Sequence, residues 1–387
     1  MSSFKSQLKN IYESGYYRNR IILNSKQDRY IQVGKKKLLS FASNDYLGMA
    51  TNKDVIDELK KSASMYGVGS ASSPLITGYS KSHHYLEKEI CEYLNTESCI
   101  VVNSGYMANI CLLNIFDNKD VYQDKESHNS IIESSKINKL KIHRYRHLDN
   151  DHLIELLKKS DNKNKIIFSE SVFSMSGEIS NLKEHLKIKR KHKTYLFIDD
   201  AHGLAVSNRD NIDCKIENTC SLFNIKPSSI DAYVGTFGKA VGTTGAFICG
   251  NKDLIDMIIQ RGKPYIYSTA LPRCIIDATR RSLQYLSKDK TRLVKLHENI
   301  KYINDQCARK KLKIIATQSP IKTFLIGDPT RTIKVRDALL SEGIIVQAIR
   351  YPTVPLNTDR LRVTITSNHK KKDIDKLLNS LENISYE

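Results

Sequence analysis

Seven short apolar runs alternate with stretches of helical period between residues 99 and 249, and this alternation constrains the fold more than any other feature of the chain. The runs cover 99–102, 121–122, 142–145, 166–169, 195–198, 232–234 and 246–249. A strand with one wet face alternates polar and apolar residues, whereas a strand that is apolar throughout has both faces buried. Such strands spaced by helices predict a mostly parallel sheet with helices on both sides. The chain has 387 residues, more than the roughly 250–300 that one core serves, so a second lobe is expected. After about residue 285 the pattern changes to a long polar helix, short strands and a final helix from Lys372. The expected division is an N-terminal arm over 1–50, a large α/β/α domain over 51–285 and a smaller α+β domain over 286–387.

Nothing marks the chain for membrane or export. No stretch of about 18 apolar residues is present, and the start lacks the apolar run of a secretory signal. Eight cysteines show no C-x-x-C spacing, so neither a zinc knuckle nor a disulfide scaffold is expected, no metal is predicted, and a reducing cytoplasm is the natural compartment. The formal charge of +19 attracts polyanions. Its basic runs are scattered and carry no interleaved aromatics, which argues against nucleic acid and for an anionic substrate or an acidic carrier protein.

Two nucleotide motifs fail on spacing. Gly67 and Gly69 lack a third glycine, since Ser72 stands there, and Gly238-Lys239 is preceded by Tyr233 and followed by Ala240, where a P-loop needs glycine and a hydroxyl residue.

Four other pieces form a consistent set. In Tyr195-Leu-Phe-Ile-Asp-Asp-Ala-His-Gly203 an apolar strand runs into Asp199, and His202 follows three residues later. Ligands of open α/β sheets gather beyond the carboxyl ends of strands. Asp199 there can pair with a cationic ring nitrogen, and His202 can donate to a neighbouring oxygen. In Val234-Gly-Thr-Phe-Gly-Lys-Ala-Val-Gly-Thr-Thr-Gly-Ala246, Lys239 sits in a glycine-rich turn between two apolar strands, where desolvation frees a nucleophilic amine. Asn103-Ser-Gly-Tyr-Met-Ala-Asn109 joins a strand to a helix, so the amides after Ser104 can receive a phosphate. Ser127-His128-Asn129-Ser130 offers His128 to cover a ring. Phosphate cradle, stacking imidazole, Asp-x-x-His and lysine together predict pyridoxal 5′-phosphate.

The order of these phrases, together with Phe41-Ala-Ser-Asn-Asp-Tyr-Leu-Gly48, Gly78-Tyr-Ser-Lys-Ser-His-His-Tyr-Leu-Glu87 and Tyr267-Ser-Thr269, resembles the α-oxoamine synthases over most of the chain. The resemblance implies a PLP-dependent aminotransferase-like fold (fold type I) and an acyltransferase that joins an amino acid to an acyl thioester with loss of carbon dioxide. Ala348-Ile-Arg-Tyr-Pro-Thr-Val-Pro355 and Asp359-Arg-Leu-Arg362 look like the version that uses L-alanine and a pimeloyl thioester, on coenzyme A or acyl carrier protein, in biotin biosynthesis. A glycine C-acetyltransferase is the alternative.

By position, the resemblance implies that Lys239 holds the cofactor and acts as base, Asp199 pairs with its ring nitrogen, His202 bonds its phenolic oxygen and His128 stacks on its face. Ser104, Gly105, Tyr106, Ser174 and Thr236 are implied as further cofactor contacts. Thr269 resembles a residue that reaches the phosphate of the partner subunit, which implies a homodimer. Arg350 and Arg362 are the implied carboxylate clamps, and Arg18, Asn44 and Thr353 resemble substrate contacts. The chain departs from the family at Ser176, where an aspartate is usual, at Tyr351, where a proline is usual, and over 67–74, which lacks a basic residue.

Overall fold

Alternate residues of each central strand point into separate apolar layers, and this is why the strands are apolar throughout. Ile100, Val102, Ile166, Phe168 and Phe197 pack in one layer, while Cys99, Val101, Ile167, Leu196 and Ile198 pack in the other. The structure is a computed structural model and describes residues 3–13, 17–207 and 214–385.

Fourteen strands are found among the described residues. They are β1 (Tyr30–Val33), β2 (Lys36–Ser40), β3 (Ser98–Val102), β4 (Asp120–Asp124), β5 (Lys141–Tyr145), β6 (Lys165–Glu170), β7 (Tyr195–Asp199), β8 (Ala232–Thr236), β9 (Ala246–Gly250), β10 (Ile314–Ile315), β11 (Ile321–Leu325), β12 (Ile344–Ile345), β13 (Gln347–Ile349) and β14 (Arg360–Thr364). Seven of them form the central sheet in the order β3-β9-β8-β7-β6-β4-β5. All pairings are parallel except those of β9, which runs antiparallel to both β3 and β8. The carboxyl ends of β3, β4, β6, β7 and β8 therefore open on one edge, where ligands of such sheets bind.

The C-terminal part builds a four-stranded sheet, β10-β11-β14-β13, covered by the helices Thr291–Arg309, Pro329–Ser341 and Lys371–Ser385. Residues 30–40, expected as part of an arm, pair with this lobe. β2 runs parallel to β12, with Leu39 opposite Ile344. The larger apolar layer continues from Leu196 and Tyr233 to Phe324, Leu361, Val363 and Leu377, so the lobes share one packed interface. No helix among the described residues is long and apolar enough to cross a membrane.

Lys322 breaks the apolar pattern inside this lobe. It is fully buried on β11 and its Nζ donates to the Thr317 carbonyl. Burial pushes its pKa down to about 7, with the nearby Cys307 opposing. An unfolded lysine binds its proton up to about pH 10.4. Between those values the unfolded chain holds more protons than the folded one, so stability rises with pH. Against a Lys322→Met variant, the parent protein should therefore gain at most roughly 4 kcal/mol between pH 6 and pH 10. The variant should also be the more stable of the two at pH 6. Denaturant unfolding of both proteins across this range checks it. Parallel pH profiles would show that Lys322 does not carry a buried, displaced proton equilibrium.

Candidate active site

The carboxyl edge of the central sheet closes around a cavity of about 260 Å³. Nine of the residues singled out in the sequence line it: Asn44, Ser104, Gly105, Tyr106, His128, Asp199, His202, Thr236 and Lys239. The carboxyl ends of β6, β7 and β8 lie side by side, and the segment after β2 is tied to them by Tyr46 at His202 and Asn44 at Arg362.

Asp199 ends β7 and is 6 % exposed. Its Oδ2 accepts from Asn109 Nδ2 at 2.9 Å and its Oδ1 from the Ala201 amide at 3.0 Å. Asn109 also donates to Ser130 Oγ at 2.8 Å, and Ser130 Oγ lies 2.7 Å from His128 Nδ1. His128 caps the helix Asn129–Ile137, and its backbone amide donates to Glu170 Oε2 at 2.6 Å. The ring is thus held at Nδ1 by Ser130, and the residue's backbone by Glu170. Burial lowers its pKa, as does Lys239, with Asp199 opposing, so the ring is held toward its neutral form.

Lys239 lies in the turn after β8, where Phe237 and Val241 are buried to either side. Burial pushes its pKa down, against the pull of Asp199 and Glu170, and Arg362 adds to the lowering. An amine so placed gives up its proton more readily than a surface lysine, as a nucleophile or base must.

His202 is deeply buried. Its pKa is pushed well below the ordinary value by burial and by the cationic Lys239 and Arg362. Its Nδ1 lies 2.6 Å from the Tyr46 hydroxyl. Burial raises the Tyr46 pKa to about 12, so that hydroxyl keeps its hydrogen. The hydroxyl also lies 3.3 Å from Asn44 Oδ1; donated to the nearer Nδ1, its hydrogen leaves Nε2 carrying one of its own.

The helix Gly105–Leu113 starts at the cavity. Ser104 is its cap, with Oγ accepting from the Met107 amide at 3.2 Å. A Cβ at Gly105 would stand 2.7 Å from Thr236 Cγ2, so only glycine lets β8 approach this helix start. Thr236 itself reaches the Ala201 carbonyl at 3.5 Å.

Arg362 on β14 is 3 % exposed. Nε donates to the Ser174 carbonyl at 2.7 Å and Nη2 to Asn44 Oδ1 at 3.1 Å, while Nη1 reaches Gln347 and Thr364. No carboxylate lies at ion-pair distance from it among the described residues. A buried guanidinium held only by neutral acceptors retains affinity for a carboxylate.

Six predicted site residues are not among those lining the cavity: Arg362, just described, and Thr269, Arg18, Arg350, Thr353 and Ser174. Thr269 is exposed, and its carbonyl accepts from Asn103 Nδ2, a lining group, at 2.9 Å. Arg18 is exposed in the N-terminal segment, and in the turn after β13 the Thr353 amide donates to the Arg350 carbonyl at 2.9 Å. Ser174 contributes its carbonyl to Arg362 rather than a wall. Of the departures, Ser176 is buried with Oγ accepting from the Glu178 amide at 3.3 Å, and Glu178 in turn lies 3.1 Å from His147 Nε2. Tyr351 is exposed.

Three groups were missed in the sequence. Asn109, Ser130 and Glu170 form the buried bracket around Asp199 and His128. Glu170 ends β6 opposite Asp199 on β7. Burial and the charge of Asp199 push its pKa up to about 8, so it holds a proton at neutral pH. The signal was present: an apolar strand running into a carboxylate, as at Asp199.

The cavity fits pyridoxal phosphate. An amine, a strand-end carboxylate with free lone pairs, an imidazole at either hand and a glycine-lined helix start occupy one space of suitable size. Residues 36–381 match the family described as aminotransferase class I and II. The 8-amino-7-oxononanoate synthase of Saccharophagus degradans is 37% identical over 91% of this chain and 88% of its own. That of Thioalkalivibrio sulfidiphilus is 33% identical over 99% and 97%. Among solved structures, an 8-amino-7-oxononanoate synthase from Francisella tularensis superposes with a TM-score of 0.78 at 28% identity, covering 90% of this chain and 98% of that one. A serine palmitoyltransferase from S. paucimobilis reaches 0.91 at 24% identity over 99% and 96%, which speaks to the fold.

Proposed function

Because this chain belongs to the aminotransferase class I and II family and, within it, to the 8-amino-7-oxononanoate synthases, we propose that it condenses L-alanine with a pimeloyl thioester. The products are 8-amino-7-oxononanoate, carbon dioxide and the free thiol, a step of biotin biosynthesis. The enzyme is a pyridoxal-phosphate-dependent acyltransferase. One observation carries the reading: Lys239 and Asp199 share a cavity beside Arg362, a buried guanidinium with no acid partner among the described residues.

Bound there, pyridoxal phosphate supplies a cationic ring that accepts the electron pair left on the alanine Cα. We assign the chain's own residues these roles. Lys239 would hold the cofactor, and its amine would take the Cα proton of alanine. Asp199 keeps the ring nitrogen protonated, Asn109 and the Ala201 amide keep Asp199 aimed, and His128 covers the ring. His202 donates Nε2–H to the ring oxygen, with Tyr46 fixing its tautomer. The amides that follow Ser104 receive the phosphate. Arg362 binds the alanine carboxylate, and Arg350, Thr353 and Arg18 meet the acyl substrate as the lobes present them.

We also read the assembly as a homodimer. Tyr106, Tyr267, Leu75 and Ile76 are exposed apolar residues near the site, and Thr269 stands outside its own cavity as a residue serving a second subunit would. No disulfide is found among the described residues, and we read the enzyme as cytoplasmic. The carrier is coenzyme A or acyl carrier protein.

Steady-state kinetics with alanine, glycine and serine against pimeloyl and acetyl thioesters test the proposal. Alanine with the pimeloyl thioester should give the highest kcat/KM, and a preference for glycine with an acetyl thioester would replace it with C-acetyltransfer. Arg362→Lys should raise the KM for alanine on the order of ten- to a hundredfold, because the planar fork that grips a carboxylate is lost. The KM for the thioester should move far less. Equal shifts for both substrates would assign Arg362 a structural role only.

A further inference from the structure

A second cleft, of about 820 Å³, adjoins the segment 44–48 through Arg292 and Asn368 of its lining. Arg29, Lys37, Arg292, Lys295 and Lys370 line it, against two acids, Asp28 and Asp289. Both acids are already engaged. Asp289 accepts from the Tyr285 hydroxyl and the Thr291 amide, and Asp28 from Asn368 Nδ2 and the Arg29 amide. Arg29 is paired with Asp373. Lys295 and Lys370 are exposed and have no ion pair among the described residues, while Arg292 donates to the Leu47 and Gly48 carbonyls and lies within electrostatic reach of Asp289 and Asp45. The cleft therefore carries uncompensated positive charge from three different elements converging on one space.

Its inner wall touches the catalytic machinery. Arg292 Nη1 holds the Leu47 carbonyl at 2.8 Å and the Gly48 carbonyl at 3.3 Å. Gly48 has φ +65°, and a Cβ there would stand 2.6 Å from Asn368 Oδ1, so the strap is clasped at this point. From the same strap Tyr46 reaches His202 and Asn44 reaches Arg362.

We propose that this cleft binds a multiply charged phosphate compound and that its occupancy bears on the strap 44–48. The chemistry suits either the phosphates of a coenzyme A carrier or a free nucleotide or polyphosphate. Only the carrier alternative rests on the proposed acyl transfer.

The test uses the holoenzyme, whose own phosphate site is filled, with inorganic tripolyphosphate as the probe in calorimetry at low and moderate salt. The parent protein should bind it, more weakly as salt rises. The pair Lys295→Glu and Lys370→Glu should weaken binding on the order of a hundredfold, about tenfold for each charge-assisted hydrogen bond removed. The pair Lys183→Glu and Lys191→Glu makes the same change in net charge outside the cleft and should leave binding nearly intact. If the cleft pair also loses kcat/KM for pimeloyl coenzyme A but not for alanine, the carrier is the occupant. If kcat/KM holds while tripolyphosphate binding is lost, the occupant is a free polyphosphate. No binding to the parent protein, or equal losses in both double variants, overturns the proposal.

Discussion

Turnover should fall by roughly ten-thousandfold or more when Lys239 is replaced by alanine, the upper range for removal of a positioned base. Lys239 carries two duties in the proposed reaction, holding the cofactor and taking the alanine Cα proton. No neighbour can assume either. Glu170 shares the cavity, but its carboxyl is held protonated near neutral pH by burial and by Asp199, and its Oε2 is occupied by the His128 amide. His202 is committed to Tyr46. The variant should lose the near-visible absorption that accompanies covalent attachment of the cofactor. It should also cease to exchange the Cα hydrogen of L-alanine with deuterated water. Unchanged thermal unfolding would separate this loss from misfolding. A Lys239→Ala protein that still turns over would remove Lys239 from the mechanism.

Asp199→Asn should lower kcat on the order of a hundred- to a thousandfold, as removal of a preorganised electrostatic partner does. The carboxylate lies in a buried bracket where its hydrogen bonds come from neutral donors, Asn109 and the Ala201 amide. Its full charge is therefore left for the ring nitrogen. An amide of the same shape keeps the cavity and removes the charge. The loss should appear in Cα hydrogen exchange, before any acyl substrate is added, with little change in the thioester KM. The adjacent Asp200 is the internal contrast. It accepts from Ser171, Thr219 and Tyr233 and is fully buried behind the strand end, so its substitution should cost stability rather than proton abstraction alone. Normal exchange in Asp199→Asn would mean that another carboxylate faces the ring.

Strand positions were legible because the central strands are buried on both faces, and runs such as Ile166–Phe168 have no other use for so much unbroken apolar surface. Lys239 was legible because it stands in a glycine-rich turn between two such runs, and Asp199 because it places a charge at the end of one. Glu170 satisfies the same rule at the end of β6, but no histidine follows it to mark the position. Other features left no local trace. The pairing of β2 with β12 joins residues some 305 positions apart, Leu39 with Ile344, and nothing in either segment names the other. The hydrogen bond from Arg362 to Asn44 spans 318 positions. Lys322 reads as a solvated residue in an otherwise apolar run. Only the packing of β11 between β10 and β14 shows that its ammonium end is sealed from water.

Decarboxylative condensation is tested most directly by carbon balance. With L-alanine labelled in its carboxyl carbon and a pimeloyl thioester, the enzyme should release one labelled carbon dioxide for each free thiol formed. It should form neither without the other. Thiol release without labelled carbon dioxide, or label release that does not require the thioester, would contradict a decarboxylative condensation.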